Sequence, residues 1–326
     1  MKTTHLFKLA FAGILFSIFT FTSCVQTVEQ PKVDHYKIMT DYMKANNLDL
    51  SNMTSTWVTT ASAVNAAGAS TFYIIDLRSA ADFAAGRIEG AVNSTLANVL
   101  TTAQSATKPI LLVCYTGQTA AVAHVALRLS GYSDCKILKW GMSSWNSVFD
   151  KWTANISDQA VGNANWSSTN SVQTPVLFSL PELDETQFTA ADTTGAVILA
   201  KRVSYMLSLG LKGVNAADVL ATPTNYFIVN YWADADVTTY GHIVGAYRLN
   251  ETLLLGDGMK NLDPASKVTV YCWTGQTSAL VSAYLNVLGY DAYSIKFGAN
   301  SMINSSLQKN KFSASEIGNY TYVTGN

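Results

Sequence analysis

Residues 114–119 read Cys-Tyr-Thr-Gly-Gln-Thr and residues 272–277 read Cys-Trp-Thr-Gly-Gln-Thr. Each cysteine closes a short apolar run, from Ile110 to Val113 in one case and from Val268 to Tyr271 in the other. Each loop is followed by apolar residues at helical spacing: Val122, Val125, Ala126 and Leu129, then Leu280, Val281, Tyr284, Leu285 and Leu288. An apolar run of that length ahead of a glycine turn predicts a buried strand, and the segment after it predicts a helix. A thiol held there faces backbone N–H groups and the positive end of a helix, which favour negative charge. The expected species is a thiolate, and the expected chemistry that of a nucleophile or sulfur carrier. The candidate reactive residues are Cys114 and Cys272. The loops that would hold a sulfur anion are Tyr115, Thr116, Gly117, Gln118 and Thr119, and Trp273, Thr274, Gly275, Gln276 and Thr277. Gly117 and Gly275 permit the tight curvature, and the four threonines offer hydroxyl donors.

The elements that must position these loops are duplicated as well. The cysteines are 272 − 114 = 158 residues apart, and Gly298 lies 298 − 141 = 157 beyond Gly141. Gly-His-Ile-Val-Gly-Ala at 241–246 matches Gly-Arg-Ile-Glu-Gly-Ala at 86–91, an offset of 241 − 86 = 155. Tyr-Phe-Ile-Val-Asn at 226–230 matches Phe-Tyr-Ile-Ile-Asp at 72–76, an offset of 230 − 76 = 154. A period this long is a duplicated domain, because solenoid repeats run at roughly 20–50 residues. Fully apolar strands alternating with helical segments predict an α/β fold, a parallel sheet covered on both faces in each copy.

Each copy resembles the rhodanese-like domain. That family carries Asp-x-Arg after a central strand, then Gly-His-Ile-x-Gly-Ala, a Cys-x-x-Gly loop, and a glycine-bearing closing segment near a Trp. The first copy supplies Asp76 and Arg78, the 86–91 motif, the Cys114 loop, and Trp140-Gly141 through Trp145. The second supplies His242, the Cys272 loop, and Phe297-Gly298. The resemblance implies two rhodanese-like domains, each a central, mostly parallel sheet with helices on both faces. It divides the chain into a first domain at 35–152, a linker at 153–187 and a second domain at 188–326.

The resemblance also implies sulfur transfer. A thiolate takes the outer sulfur of a thiosulfate-type or 3-mercaptopyruvate-type donor, holds it as a persulfide, and passes it to a thiol or similar acceptor without a cofactor. Neither loop carries a basic residue. Arg78 and Arg87 are candidates for nearby positive charge, although Arg78 is equally a structural partner of Asp76. His242 stands at a position that is mostly architectural in the family. The second copy reads Asn230-Tyr-Trp232 where Asp-x-Arg is expected, and Trp232 with Trp273 would make its pocket apolar. The more complete first copy places Cys114 ahead of Cys272. The competing reading is a non-catalytic binding or redox-sensing protein of the cell envelope, whose exposed, low-pKa thiols would oxidise readily.

A charged fraction of 13% is about half the usual share, and a net charge of −1 argues against a nucleic-acid partner. Lys2 and Lys8 precede an apolar run from Leu9 to Thr22, then Ser23 and Cys24. That pattern reads as a signal peptide over 1–23. Cys24 is then either the lipidated first residue of a bacterial lipoprotein, tethered through 24–34, or incidental to ordinary cleavage. The lipid anchor would be the only membrane attachment, on the periplasmic or the cell-surface side. Three cysteines would remain, which argues for free thiols rather than a disulfide framework. Cys135, aligned with Tyr293, is a space-filling strand residue or a resolving thiol for Cys114. The linker is rich in Asn, Ser, Thr and Gln, yet its Trp166, Val176, Leu177 and Phe178 suggest partial packing. Apolar spacing predicts extra helices near 36–43 and 197–211, covering the sheets. A Cys-x5-Arg phosphatase is excluded by Ala120 and Ser278, and no metal-binding spacing of Cys or His exists. The expected partners are small sulfur compounds or an acceptor thiol.

Overall fold

The computed structural model describes residues 33–169 and 171–325. The expected signal peptide, Cys24 and the tether as far as residue 32 lie outside the described residues. The first sheet contains β1 (Val58–Thr59), β2 (Tyr73–Asp76), β3 (Val92–Asn93), β4 (Ile110–Val113) and β5 (Cys135–Leu138). Its order is β1-β5-β4-β2-β3, and every pairing is parallel. After β6 (Trp166–Ser167), the chain forms β7 (Gly213–Val214), β8 (Phe227–Asn230), β9 (His242–Ile243), β10 (Tyr247–Arg248), β11 (Val268–Tyr271) and β12 (Ala292–Ile295). The second sheet runs β7-β12-β11-β8-β10, again wholly parallel, so the two repeats share one topology.

The central strands are apolar throughout because both faces are covered. Ile75, Leu112 and Ile137 point into one core, while Ile74, Leu111, Val113 and Leu138 point into another. Each such fully buried aliphatic side chain contributes roughly 1.5–3 kcal/mol relative to exposure. The first of these cores is common to both repeats, since it also takes Val229, Val268 and Val270 from the second sheet. Its middle is built by α1 (His35–Ala45), α2 (Gln118–Leu129), α3 (Gly195–Leu209) and α4 (Gln276–Val287). The post-cysteine helices α2 and α4 pack on each other, as do α1 and α3. The two extra helices therefore sit on the seam between the repeats as well as over the sheets. Gly195 is obligatory there, since a Cβ would lie 2.2 Å from Cβ of Tyr42.

Two expectations are corrected. Cys135 pairs with Ile110 as Ala292 pairs with Val268, so its counterpart is Ala292 and not Tyr293. A loop deletion between α4 and β12 accounts for the one-residue slip. Within the linker, Trp166 and Phe178 pack as expected, whereas Val176 and Leu177 are exposed.

The segments that follow the repeats are exchanged. The stretch after the first repeat runs along the second: Ser157 N donates to Asn300 O, Ala160 N donates to Met302 O, and β6 pairs antiparallel with β9. The chain's last residues return to the first repeat. Gly318 N donates to Ser144 O, Tyr320 N to Trp145 O, and Arg87 and Val323 exchange both backbone bonds at 2.9 Å. Trp145 Nε1 donates to Thr321 O and Trp140 Nε1 to Glu316 Oε2. Each repeat is thus braced by a segment that follows the other. Among the described residues, no helix is long and apolar enough to cross a membrane.

Candidate active site

Each cysteine follows the last residue of a central strand, and the turn after it opens a helix. Gly117 and Gly275 cap α2 and α4 in the left-handed region, with φ of +82° and +73°, which glycine adopts without strain. A closing segment then clamps each loop from behind. Met142 N donates to Cys114 O at 2.8 Å, and Ala299 N to Cys272 O at 2.9 Å. Gly141 and Gly298 make this approach possible, since a Cβ would lie 2.3 and 2.4 Å from those carbonyl oxygens. The residues before them, Trp140 and Phe297, hold φ of +64° and +62°. Backbone strain of order 1–3 kcal/mol is therefore stored at the same place in both repeats.

The two loops face each other across the seam. Gln276 Nε2 donates to Thr116 O at 2.9 Å, and Gln118 Oε1 accepts from Phe297 N at 3.1 Å. These glutamines occupy equivalent positions, so each repeat lays one side chain over the loop of the other. Trp152 Nε1 also donates to Thr116 O, at 3.3 Å. Its ring stands edge-on to Trp140 and Phe297 and stacks on Phe312. The result is burial of both thiols: Cys114 is 5% and Cys272 1% exposed. The exposed thiols expected of such loops are a correction, and its cause is this mutual cover.

The sulfur environments differ. Cys114 Sγ accepts from Gly117 N at 3.1 Å. Burial pushes its thiol up, against the lowering pull of backbone N–H groups of Ala120, Thr116, Gly117 and Thr119. The donor nest is present as expected, but desolvation of a thiolate outweighs it. Cys272 Sγ instead accepts from Ser278 N at 3.2 Å and lies 3.5 Å from Ser278 Oγ. Thr116 Oγ1 accepts from Gln118 Nε2 and Thr274 Oγ1 from Gln276 N, so these hydroxyls support the loops.

Around Cys114, Arg78 is committed to Asp76 through Nε and Nη2, the latter at 2.6 Å from Oδ2, with both side chains 1% exposed. Arg78 Nη2 also donates to Gly86 O, and Nη1 makes no hydrogen bond among the described residues. Burial opposes the charge, but the Asp76 carboxylate outweighs it and raises the guanidinium's pKa. The guanidinium lies over the rings of Tyr115 and Phe149. Tyr115 OH donates to Asp82 Oδ1, a partner the sequence did not suggest. Arg87 turns away to Gly325 O and the Phe83 ring. In the second repeat, Asn230 Nδ2 donates to Tyr271 OH at 2.7 Å. Trp232 is 1% exposed and stacks on Trp273 with centroids 4.4 Å apart. Trp273 also stands edge-on to Tyr240, so these rings pack on one another. His242 is buried, its Nδ1 against Ile243 O at 2.9 Å. Cys135 pairs instead with His124: Sγ lies 3.4 Å from Nδ1, while Nε2 lies 2.9 Å from Met53 O. Burial pushes the Cys135 thiol up to about 12 and brings His124 down to about 4 despite the Met53 bond, so both are neutral. No cluster able to hold a metal ion occurs among the described residues.

A model of the rhodanese-like domain family matches residues 59–148. No curated protein matches the chain. Among solved structures, it is similar to thiosulfate sulfurtransferase from Pseudomonas aeruginosa, at 14% identity over 86% of this chain and 49% of that one, with a TM-score of 0.30. The 3-mercaptopyruvate sulfurtransferase from Leishmania major gives 13% identity, 78% and 75% coverage, and a TM-score of 0.27. The reduced CoADR-RHD protein of Bacillus anthracis gives 23% identity and a TM-score of 0.25, over 26% of this chain and 16% of that one. The chain spans about half the length of the Pseudomonas enzyme. At these TM-scores the fold rests on this chain's own strand order and on the family match.

Proposed function

Residues 59–148 form a rhodanese-like domain, and from that premise we propose that the protein is a sulfurtransferase working through a cysteine persulfide. The observation that carries this reading is the strand–cysteine–glycine turn–helix unit, present twice with backbone N–H groups on the sulfur. In the reaction, Sγ as thiolate attacks the outer sulfur of a donor such as thiosulfate. The donor's S–S bond breaks, sulfite leaves with the electron pair, and the cysteine holds a persulfide anion. An acceptor thiolate then attacks the outer sulfur and regenerates the cysteine thiolate. The N–H donors are preorganised for the negative sulfur in both steps. Access requires the glutamine contacts across the seam to part. The leader pattern and Cys24 extend the reading to a lipid-anchored protein of the bacterial cell envelope, on sequence grounds.

The test is turnover of sulfur from thiosulfate and from 3-mercaptopyruvate to cyanide and to a small thiol, with Cys114→Ser, Cys272→Ser and the double variant. Loss of transfer in one single variant and in the double is expected. Equal background rates in all four proteins would refute the proposal. The burial of both thiols favours a second reading, a non-catalytic rhodanese-like module, and that result would select it.

A further inference from the structure

The two cysteines differ most in what stands behind the sulfur. In the second repeat, Ser278 Oγ lies 3.5 Å from Cys272 Sγ and 2.7 Å from Ser294 Oγ. Ser294 Oγ in turn lies 3.3 Å from Gly275 O, in the cysteine loop itself. Both serines are 0% exposed. In the first repeat, Ala120 stands in the place of Ser278, since 278 − 158 = 120. Ile137 stands in the place of Ser294, because Ile137 pairs with Leu112 as Ser294 pairs with Val270. Two hydroxyls thus replace two apolar side chains at one buried cysteine and not at the other.

A hydroxyl is both donor and acceptor, and its proton rotates to suit its neighbours. With Cys272 as a thiol, S–H donates to Ser278 Oγ, Ser278 donates to Ser294 Oγ, and Ser294 donates to Gly275 O. With Cys272 as a thiolate, the chain reverses. Ser278 donates to the sulfur, Ser294 donates to Ser278 Oγ, and Gly275 O gives up that donor. Every buried hydroxyl is satisfied in both states, and the charged state gains a charge-assisted bond, about twice as strong as a neutral one. Ala120 offers nothing of this kind to Cys114.

We infer that Ser278 and Ser294 form a two-hydroxyl rotor that holds negative sulfur on Cys272, making the second repeat the sulfur-bearing one. Ser278 contacts the reacting atom, and Ser294 is a positioning residue acting through it. The assignment of sulfur bearing rests on the sulfurtransferase reading, whereas the rotor is a property of the thiol and is tested without turnover.

The experiment follows alkylation of each cysteine in the intact protein by iodoacetamide with peptide mass mapping. The neutral-pH rate is divided by the limiting rate in alkali, which cancels differences in access. Ser278→Ala is expected to lower this ratio for Cys272 about tenfold while leaving Cys114 unchanged. Ser294→Ala is expected to lower it by a smaller factor of about three. Ala120→Ser, which gives the first repeat its missing hydroxyl, is expected to raise the ratio for Cys114 severalfold. This last variant keeps the inference testable if Ser278→Ala fails to fold. An unchanged ratio at Cys272 in Ser278→Ala, or at Cys114 in a folded Ala120→Ser, would overturn the rotor whether or not the protein transfers sulfur. A changed ratio in a protein that transfers no sulfur would leave the rotor standing and remove the sulfurtransferase reading.

Discussion

Truncating Phe312 to alanine should destabilise both repeats at once. Phe312 follows the second repeat in sequence but is 1% exposed, against Trp140 and Trp152, which precede it. Its ring centroid lies 5.4 Å from that of Trp140 and 5.3 Å from that of Trp152. The backbone bond from Phe312 N to Asn300 Oδ1 survives the substitution, so the loss is that of the ring alone. A fully buried aromatic side chain cut to alanine costs about 3–5 kcal/mol, set by how far the cavity collapses. Against a total stability of roughly 5–15 kcal/mol, that is a large fraction. Equilibrium urea unfolding, followed by tryptophan fluorescence and far-ultraviolet circular dichroism, should give a single transition in wild type and variant. Both probes should report the same loss. Trp152→Ala combined with Phe312→Ala should fall short of additivity by more than about 0.5 kcal/mol, because the two rings share one cavity. A loss below about 1 kcal/mol, or two transitions of which only one moves, would refute the shared-seam account.

Three further outcomes follow from buried groups. Asp76→Asn leaves the Arg78 guanidinium buried without its carboxylate and should cost about 3–5 kcal/mol in the same unfolding assay; unchanged stability would mean that the ion pair does not brace the strand end. His124 is held down to about 4 by burial, so the unfolded chain takes up its proton first. Its contribution is fully present above about pH 6.5 and is lost as pH falls towards 4, an effect of about 3 kcal/mol. His124→Gln, which keeps a donor for Met53 O, should flatten that acid limb, and an identical pH profile would contradict the assignment. Gln276→Ala removes a donor from Thr116 O and should cost about 1 kcal/mol. It should also speed reaction of Cys114 with a bulky thiol reagent, and an unaltered rate would show that the glutamine does not guard the loop.

The duplication, the parallel sheets and the cysteine loops were legible because their signals are local. Strands such as β4 are continuous apolar runs, and Gly117, Gly141, Gly275 and Gly298 mark backbone that other residues do not fit. The exchange of trailing segments was not legible. Residues 318–325 are too short a segment to name their partner, and their pairing with Ser144, Trp145 and Arg87, through backbone bonds and the Trp145 indole, spans a sequence separation of more than 170 residues. The burial of the thiols was missed for a related reason. The sequence places Gln118 and Gln276 in the loops of their own cysteines, whereas each side chain reaches across to the opposite repeat. A sequence offset of 276 − 118 = 158, equal to that of the cysteines, was the available hint. In the sequence Ser278 stands only where a phosphatase would carry arginine, and its contact with Cys272 Sγ arises from the closure of the helix turn.

The account turns on whether a sulfur atom rests on this protein. Intact mass spectrometry of the purified protein after exposure to thiosulfate, and separately to 3-mercaptopyruvate, measures that directly. The account predicts a gain of one sulfur atom, retained in Cys114→Ser, absent in Cys272→Ser and discharged by an acceptor thiol. No gain with either donor, while alkylation confirms that both cysteines are free and reachable, would contradict it.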